Sequence, residues 1–408
     1  MSPQSIVIVG NGVAGTTAAR TIKQQNPQTK VSVYTDETYQ YYPRPRLYEV
    51  LSGETQPQRI CVFSEEYYKT KGIDVFLNKK VAYIDTKQQE LTLDDQTKAA
   101  YDKLLLANGA YSFVPPINGS QKEGVFTLRS INDALTIKDY TKNCKEAIVI
   151  GGGLLGLEFA YSLIRLGQKV TVVEMFPRLL PRQLDHNGAT ILKNKIESLG
   201  INIVLGVKTQ EILGKQKAMG ILLDNNQTIS GELILVSAGV RPNTELATKS
   251  GIKVNKGIIV DSYMKTSADH VYAAGDSTEF EGAVYGIIPA AIEQATIAAN
   301  NMTTTQQTAY NGTTPTNTLK IVNIDLTSTG TVNPENQNIT EIKKTDPTKG
   351  IYKKLVIDNG TIIGTIILGT TKGVTTINQL MTQKTDITKY KNTILNDDFD
   401  YKKITTLT

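Results

Sequence analysis

Two stretches of the chain have the residue types and spacing to cradle a phosphate-bearing ligand. The first is Ile6-Val-Ile-Val-Gly10-Asn-Gly12-Val13-Ala14-Gly15. An apolar run enters Gly10-x-Gly12-x-x-Gly15, and an Ala/Thr-rich segment follows to Asn26-Pro27. This order predicts strand, tight turn and helix. Gly10 permits the turn, Gly12 lets backbone approach a pyrophosphate, and Gly15 lets the helix pack closely on the strand. The first helical N–H groups and the positive end of the helix dipole then face the phosphates. The second stretch restarts the pattern: Ala147-Ile-Val-Ile150, then Gly151-Gly-Gly153-Leu154-Leu155-Gly156. One glycine turn alone is a weak indication, because such turns are common between strand and helix. The second copy strengthens it.

An acid that binds the adenosine ribose belongs after the next strand, about 20 residues past such a motif. In the second copy Val170-Thr-Val-Val173 is that strand, and Glu174 closes it 18 positions after Gly156. In the first, Val31-Ser-Val-Tyr34 is the strand and Thr35 holds the expected position. Glu37 is the candidate acid, with Asp36 close behind; two solvated loop acids are the alternative. Glu174 also discriminates between nicotinamide cofactors. A 2′-phosphate about 4 Å away would meet roughly 4 kcal/mol of repulsion per unit-charge pair at an effective dielectric near 20, which favours NADH over NADPH. Arg178 and Arg182 lie close in sequence and soften that preference.

Other candidates lie between and beyond the two turns. Residues 39–47 carry two prolines and two arginines. Arg44 or Arg46 can pair with a diphosphate or place positive charge near a reduced, anionic ring; a rigid surface loop with solvated arginines is the alternative. Leu104-Leu-Leu-Ala-Asn108-Gly109-Ala110 and Leu233-Ile-Leu-Val-Ser-Ala238-Gly239 are strands ending in small residues, where backbone can approach a ligand. Val271-Tyr-Ala-Ala-Gly275-Asp276 is another. Asp276 can accept from ribityl hydroxyls or from N–H groups of a following helix, a plain helix cap being the alternative.

The elements that position these residues follow from periodicity. Ala14, Ala18, Ala19 and Ile22 form the buried stripe of the first helix. Leu155, Phe159 and Leu163 form that of the second, with Gly167 as its stop. Residues 55–70 read as a loop and a helix. Three short strands at 75–77, 81–84 and 90–93 read as a meander, and 289–299 as an Ala-rich helix. Residues 303–318 are Thr/Gln/Asn-rich and read as a linker. Beyond it, 319–326, 352–357 and 361–368 alternate as strands. A helix at 373–381 turns Val374, Ile377 and Met381 inward. The last stretch, 386–408, is polar and reads as peripheral.

Composition narrows the chemistry. At 408 residues the chain predicts two or three domains. No run of eighteen apolar residues exists, and no basic-then-apolar leader precedes the first strand, so the expectation is a cytoplasmic protein without a membrane span. A formal charge of +5 is too mild for nucleic-acid binding and suits an acidic protein partner. Two cysteines, Cys61 and Cys144, and two histidines, His186 and His270, offer no zinc or iron–sulfur cluster, and no metal site is expected.

Two dinucleotide motifs, the paired small turns and a late Gly-Asp form an ordered series. It resembles the two-dinucleotide-binding-domain flavoproteins, the pyridine nucleotide–disulfide reductase superfamily, from Ser5 to about Asn301. The resemblance implies an α/β fold: two Rossmann-like FAD- and NAD(P)-binding domains plus a small α+β C-terminal domain. The implied domains are 1–112 with 245–302 for FAD, 113–244 for NAD, a linker at 303–318, and 319–408. It further implies that Gly10, Gly12 and Gly15 hold FAD phosphates, that Glu37 meets the ribose, and that Val81 contacts adenine through its backbone. Asn108-Gly109 stands where the family usually has Thr-Gly, and Asp276 is the late aspartate. Gly151, Gly153, Gly156 and Glu174 would hold NADH, Glu158 would lie near the nicotinamide carboxamide, and Ala238-Gly239 would line the same groove.

The informative departure is a missing residue. Disulfide reductases place a Cys pair on the helix after the acid, and peroxidase or coenzyme-A-linked members place one Cys there. Residues 39–47 hold none. Cys61, flanked by Ile60 and Val62, suggests a buried or edge position, so a thiol relay is not expected. The run Tyr41-Tyr-Pro-Arg-Pro-Arg-Leu47 with Glu49 is most similar to NADH:rubredoxin reductases, and also to the N-terminal part of assimilatory nitrite reductases. Those nitrite reductases carry a siroheme and iron–sulfur half with no counterpart here. Oxygenase-system ferredoxin reductases usually have lysine where Glu49 stands. The expectation is an FAD oxidoreductase that takes a hydride from NADH and passes electrons to a small acidic carrier such as rubredoxin. Other electron-transfer flavoproteins, or a non-catalytic FAD/NADH redox sensor, are the alternatives. A monomer or a homodimer fits.

Overall fold

The computed structural model describes residues 4–314, 316–322, 324–334 and 339–405. Pro315 in the expected linker, Asn323 in the expected strand 319–326, and residues 406–408 of the expected tail lie outside that set. The chain forms two compact units. One holds the chain up to Phe113, Arg129–Leu135 and Val240–Thr313; the other holds Val114–Leu128, Thr136–Gly239 and the chain from Thr314 onward.

The first unit is built on a five-stranded sheet in the order Val271–Ala273, Lys103–Leu106, Ser5–Val9, Lys30–Tyr34, Ile73–Phe76. Every pair is parallel, and Val7 lies between Ser32 and Leu104. Strands buried on both faces read as continuous apolar runs, as Ile6 to Val9 and Leu104 to Leu106 do. The helices Val13–Gln25 and Ile288–Thr303 pack together through buried alanines, Ala14 and Ala18 among them on one, Ala291, Ala295 and Ala298 on the other. A separate antiparallel sheet holds Val81–Asp85, Glu90–Leu93 and Lys98–Ala100. The expected meander is thus corrected. Its first strand, at Ile73–Phe76, is the edge of the parallel sheet, because Val75 pairs with Val33.

The second unit repeats the design, in the order Asn202–Leu205, Lys169–Glu174, Glu146–Ile150, Leu233–Val236, Val125–Phe126, all parallel. The helix Leu154–Arg165 buries Leu157, Phe159 and Leu163, and Leu155 is only partly covered. The C-terminal residues form a five-stranded antiparallel sheet: Thr316–Ile321, Ile324–Gly330, Thr361–Leu368, Ile351–Asp358, Thr340–Asp346. The expected strand 319–326 is therefore a hairpin, broken at Val322, whose φ is positive. Alternation along Ile351–Asp358 gives the sheet two occupied faces. Leu355 and Ile357 pack under the helix Val374–Thr382, which contributes Ile377 and Leu380, with Val374 and Met381 at the margin. Tyr352 lies on the other face, against Gly188 of the helix His186–Glu197. The expected polar tail is corrected as well: Ile387, Ile394, Leu395 and Ile404 are buried in that core. Within the expected linker, Tyr310 is buried and its ring lies 5.0 Å from that of Phe280.

Candidate functional site

Parallel strands bring their C-terminal ends to one edge, the place where open α/β sheets bind ligands. In the first unit, four neighbouring strands end in Asp276, Asn108-Gly109, the Gly10 turn and Glu37, in that order across the sheet. In the second, three neighbouring strands end in Glu174, the Gly151 turn and Ala238-Gly239.

The glycines of each turn divide by what surrounds them. Gly10 has φ +104°, and a Cβ there would stand 2.3 Å from the Ala107 carbonyl oxygen. A Cβ at Gly15 would stand 1.9 Å from the Gly10 carbonyl oxygen. These two are glycines because the chain itself is too close. Gly12 is different: a Cβ there would meet no atom within 4 Å. The second turn repeats this. Gly151 (φ +115°) faces the Ser237 carbonyl at 2.3 Å, Gly156 faces the Gly151 carbonyl at 2.1 Å, and Gly153 faces nothing within 4 Å. Each helix begins directly after that open glycine, at Val13 and Leu154, with no side-chain cap and no acid in its first turn. Free N–H groups at the positive end of a helix, approached over a residue without a side chain, suit a diphosphate.

The middle residues differ. Asn11 is buried, accepts from Thr16 Oγ1 at 3.0 Å and Tyr68 OH at 3.4 Å, and donates to Gln40 Oε1 at 3.3 Å. Gly152 leaves room for Leu179, whose Cδ2 lies 2.7 Å from where a Cβ would be. Its N–H donates to Glu174 Oε2 at 2.7 Å, and Glu174 Oε1 accepts the Phe176 N–H at 2.9 Å. Glu174 is therefore buried and fixed at the strand end.

Glu37 is tied into a chain of charged groups. Arg44 Nη2 lies 2.6 Å from Glu37 Oε1, and Tyr42 OH donates to Glu37 Oε2 at 2.8 Å. Arg44 Nη1 donates to the Tyr42 hydroxyl at 2.6 Å and to the Arg129 carbonyl at 2.5 Å. Burial, with the Glu37 charge and hydrogen bond adding to it against the pull of Arg44, keeps the Tyr42 hydroxyl protonated above the usual tyrosine range. Arg129 in turn meets Asp276 at 3.1 Å and donates from Nε to the Ala110 carbonyl at 3.0 Å. Tyr42 and Arg129 escape sequence reasoning. Arg129 sits in no motif, and only the return of Arg129–Leu135 to the first unit brings it to the sheet edge. The Asn108 and Asn243 side chains donate to each other's backbone carbonyls at 2.9 and 2.7 Å. Asn108 Oδ1, Ser277 Oγ and Thr278 Oγ1 are buried without a partner, polar atoms suited to a polyhydroxylated ligand.

Arg46 pairs with Glu49 at 2.7 Å and does not join the Glu37–Arg129 chain. Val81 opens the separate antiparallel sheet. Glu158, 8% exposed, accepts the Val322 N–H at 2.7 Å. Burial pushes its carboxyl up to about 7, against the opposing pull of that N–H. Both thiols are raised by burial, Cys144 to about 11 with the Glu232 charge adding, so neither is an activated nucleophile.

A doubled strand–glycine-turn–helix unit with an acid after each following strand defines a dinucleotide-binding α/β protein. Residues 4–301 match the family model of the pyridine nucleotide-disulphide oxidoreductases, and residues 315–385 match the rubredoxin NAD+ reductase C-terminal domain. The chain belongs to the pyridine nucleotide-disulphide oxidoreductase family. It is 35% identical over 370 residues to a nitrite reductase (NAD(P)H) of Bacillus subtilis, covering 90% of this chain and 46% of that protein. It is 31% identical over 374 residues to the NADH-rubredoxin oxidoreductase of Clostridium acetobutylicum, covering 91% of this chain and 93% of that one. The crystal structure of the Clostridium acetobutylicum NADH:rubredoxin oxidoreductase superposes with a TM-score of 0.78 at 27% identity, covering 94% and 97% of the two chains. The chain spans about half the length of its nitrite and nitrate reductase relatives, between 42% and 52%.

Proposed function

We propose that this chain is an NADH-dependent FAD oxidoreductase that delivers electrons to a small acidic redox protein, rubredoxin being the first candidate. The observation that carries it is the pair of glycine turns in which Gly12 and Gly153 each leave space where, among the described residues, a Cβ would meet no atom within 4 Å. When bound, FAD accepts a hydride from NADH and releases the two electrons singly. Backbone N–H groups at Gly12, Val13, Ala14 and Gly15 bind the FAD diphosphate. Glu37, steadied by Arg44 and Tyr42, accepts from the ribose, and Val81 borders the adenine. Asp276, Asn108 and Gly109 receive the polyol chain. Gly151, Gly153, Leu154, Leu155 and Gly156 bind the NADH diphosphate, Glu174 its ribose, and Ala238-Gly239 and Glu158 the nicotinamide end. Arg44 supplies positive charge to the FAD site; its place beside Glu37 favours it in that role over Arg46, which pairs with Glu49. No cysteine lies in 39–47, so electrons leave without a thiol relay. The formal charge of +5 steers an acidic acceptor. The similarity to NADH-rubredoxin oxidoreductase and to the rubredoxin reductase C-terminal domain supports that acceptor.

A second reading rests on the 35% identity to nitrite reductase: an NADH-oxidising module serving a nitrite-reducing partner. One experiment separates the two. The purified chain is reconstituted with FAD and mixed with NADH, and turnover is followed with rubredoxin, a ferredoxin or a siroheme nitrite reductase as acceptor. The first reading expects flavin absorbance, rapid bleaching by NADH and the fastest turnover with rubredoxin. Failure to bind FAD removes the enzyme reading, and a long-lived reduced complex with negligible turnover indicates a sensor.

A further inference from the structure

Residues 175–185 join the strand Lys169–Glu174 to the helix His186–Glu197 without regular structure. Their first two side chains, Met175 and Phe176, are 52% and 49% exposed, directly after the acid assigned to the ribose. The segment is held at three places. At its start, Glu174 bonds both the Phe176 N–H and the Gly152 N–H. In its middle, Leu179 is fully buried and lies against Gly152 of the glycine turn. At its end the holding groups come from the C-terminal sheet or its margin. Ser328 Oγ donates to the Gln183 carbonyl at 2.8 Å, and Asn333 Nδ2 donates to the Leu184 carbonyl at 3.3 Å.

Asp185 closes the segment. Its Oδ1 accepts the Gly188 N–H at 3.0 Å, capping the helix. Its Oδ2 accepts from Tyr352 OH at 2.5 Å and lies 3.4 Å from Lys354 Nζ. Lys354 is 2% exposed and also meets Glu341 at 2.6 Å, while Lys343 reaches Glu341 at 2.7 Å. A buried lysine between two carboxylates is seldom the most stabilising choice for a core position, since an apolar residue of similar volume avoids the desolvation. What it does supply is one defined position for each carboxylate. The contacts from Lys354 to Asp185, along the segment to Leu179, and on to Gly152 are continuous.

We propose that Lys354 and Tyr352 are positioning residues for the pyridine nucleotide. Through Asp185 they hold residues 175–185 in the arrangement that receives the adenosine half of NADH. The inference rests on the assignment of NADH to the Gly151–Glu174 turn. It makes the C-terminal sheet part of the nucleotide site, because the segment is ordered before the ligand arrives and the ligand does not bear that entropy loss.

The test uses the full chain loaded with FAD, in the variants Lys354→Met and Tyr352→Phe. NADH and ADP-ribose, which lacks the nicotinamide, are titrated calorimetrically, and steady-state turnover is measured with ferricyanide. Dissociation constants for both ligands rise by about five- to tenfold in Lys354→Met and about two- to threefold in Tyr352→Phe, the range of couplings carried by packed contacts. KM for NADH rises with them while kcat holds, amide exchange across 175–185 quickens, and the bound-flavin spectrum stays the same. Unchanged dissociation constants, or a loss confined to kcat, overturn the proposal. If Lys354→Met fails to fold, Tyr352→Phe, which keeps the ring, decides it. A wild-type chain that binds neither ligand refutes the NADH assignment itself; wild-type binding matched by both variants refutes only the positioning role.

Discussion

Glu158 and Glu174 are both buried carboxylates at the second glycine turn, and their surroundings set them opposite tasks. Glu174 accepts two backbone N–H groups, whereas Glu158 accepts one and is dominated by burial, which brings its carboxyl to about 7 from an ordinary 4.5. A raised carboxyl means that the folded state holds a proton the unfolded chain has released. Stability therefore falls as pH rises from about 4.5 to about 7, by roughly 3 kcal/mol for a shift of this size. Urea denaturation of Glu158→Gln across pH 4–8 should show that slope removed, and a slope unchanged from wild type would contradict it. On the proposed assignment of Glu174 to the NADH ribose, its charge and not its shape disfavours a 2′-phosphate. Glu174→Gln keeps one acceptor oxygen and should lower the NADH-over-NADPH ratio of kcat/KM by about tenfold or more, as loss of a close charge repulsion predicts. Stopped-flow bleaching by the two cofactors measures it.

At the scale of elements, the C-terminal core depends on residues near the end of the described chain. Ile394 is fully buried there, and Ile394→Ala should cost about 2–4 kcal/mol in chemical denaturation, the usual range for a large aliphatic cut to alanine. That dependence was not legible in the sequence, where Ile387, Ile394, Leu395 and Ile404 are too scattered among Lys, Thr and Asp to show a period. Elements with a strong local pattern were legible. The alanine stripe of Val13–Gln25 and the Gly167 stop are as periodicity and glycine placement predict. Glycine turns and the strand-end acid Glu174 could be read because their spacing is fixed by the βαβ unit itself. Arg129 could not, because it reaches Asp276 through a tertiary return of the chain that leaves no local mark, and Tyr42, only five residues from Glu37, carries no spacing signal that marks its hydroxyl as a partner. The strand at Ile73–Phe76 was visible as a strand, but only its pairing with Lys30–Tyr34 placed it in the parallel sheet.

At the scale of the molecule, the proposed electron transfer needs no thiol. Cys61→Ser with Cys144→Ser should leave NADH-to-acceptor turnover within about twofold of wild type, since thiols raised by burial stay protonated at neutral pH; a collapse of turnover in a folded double variant would revive a thiol mechanism. Among the described residues, no helix is long and apolar enough to cross a membrane. The two glycine turns look like copies of one part, yet they are not interchangeable. Asn11 fills the middle of the first with a side chain that Thr16, Tyr68 and Gln40 all use, and Gly152 leaves the middle of the second empty so that Leu179 can enter. A graft of the first turn into the second would drive an asparagine into Leu179, and the reverse graft would remove the side chain that Thr16, Tyr68 and Gln40 share, leaving Thr16 and Tyr68 only each other. Each repeat is thus keyed to its own surroundings at its least conspicuous position, so an exchange of the two turns has to carry the partners of residues 11 and 152 along with the glycines that define the motif.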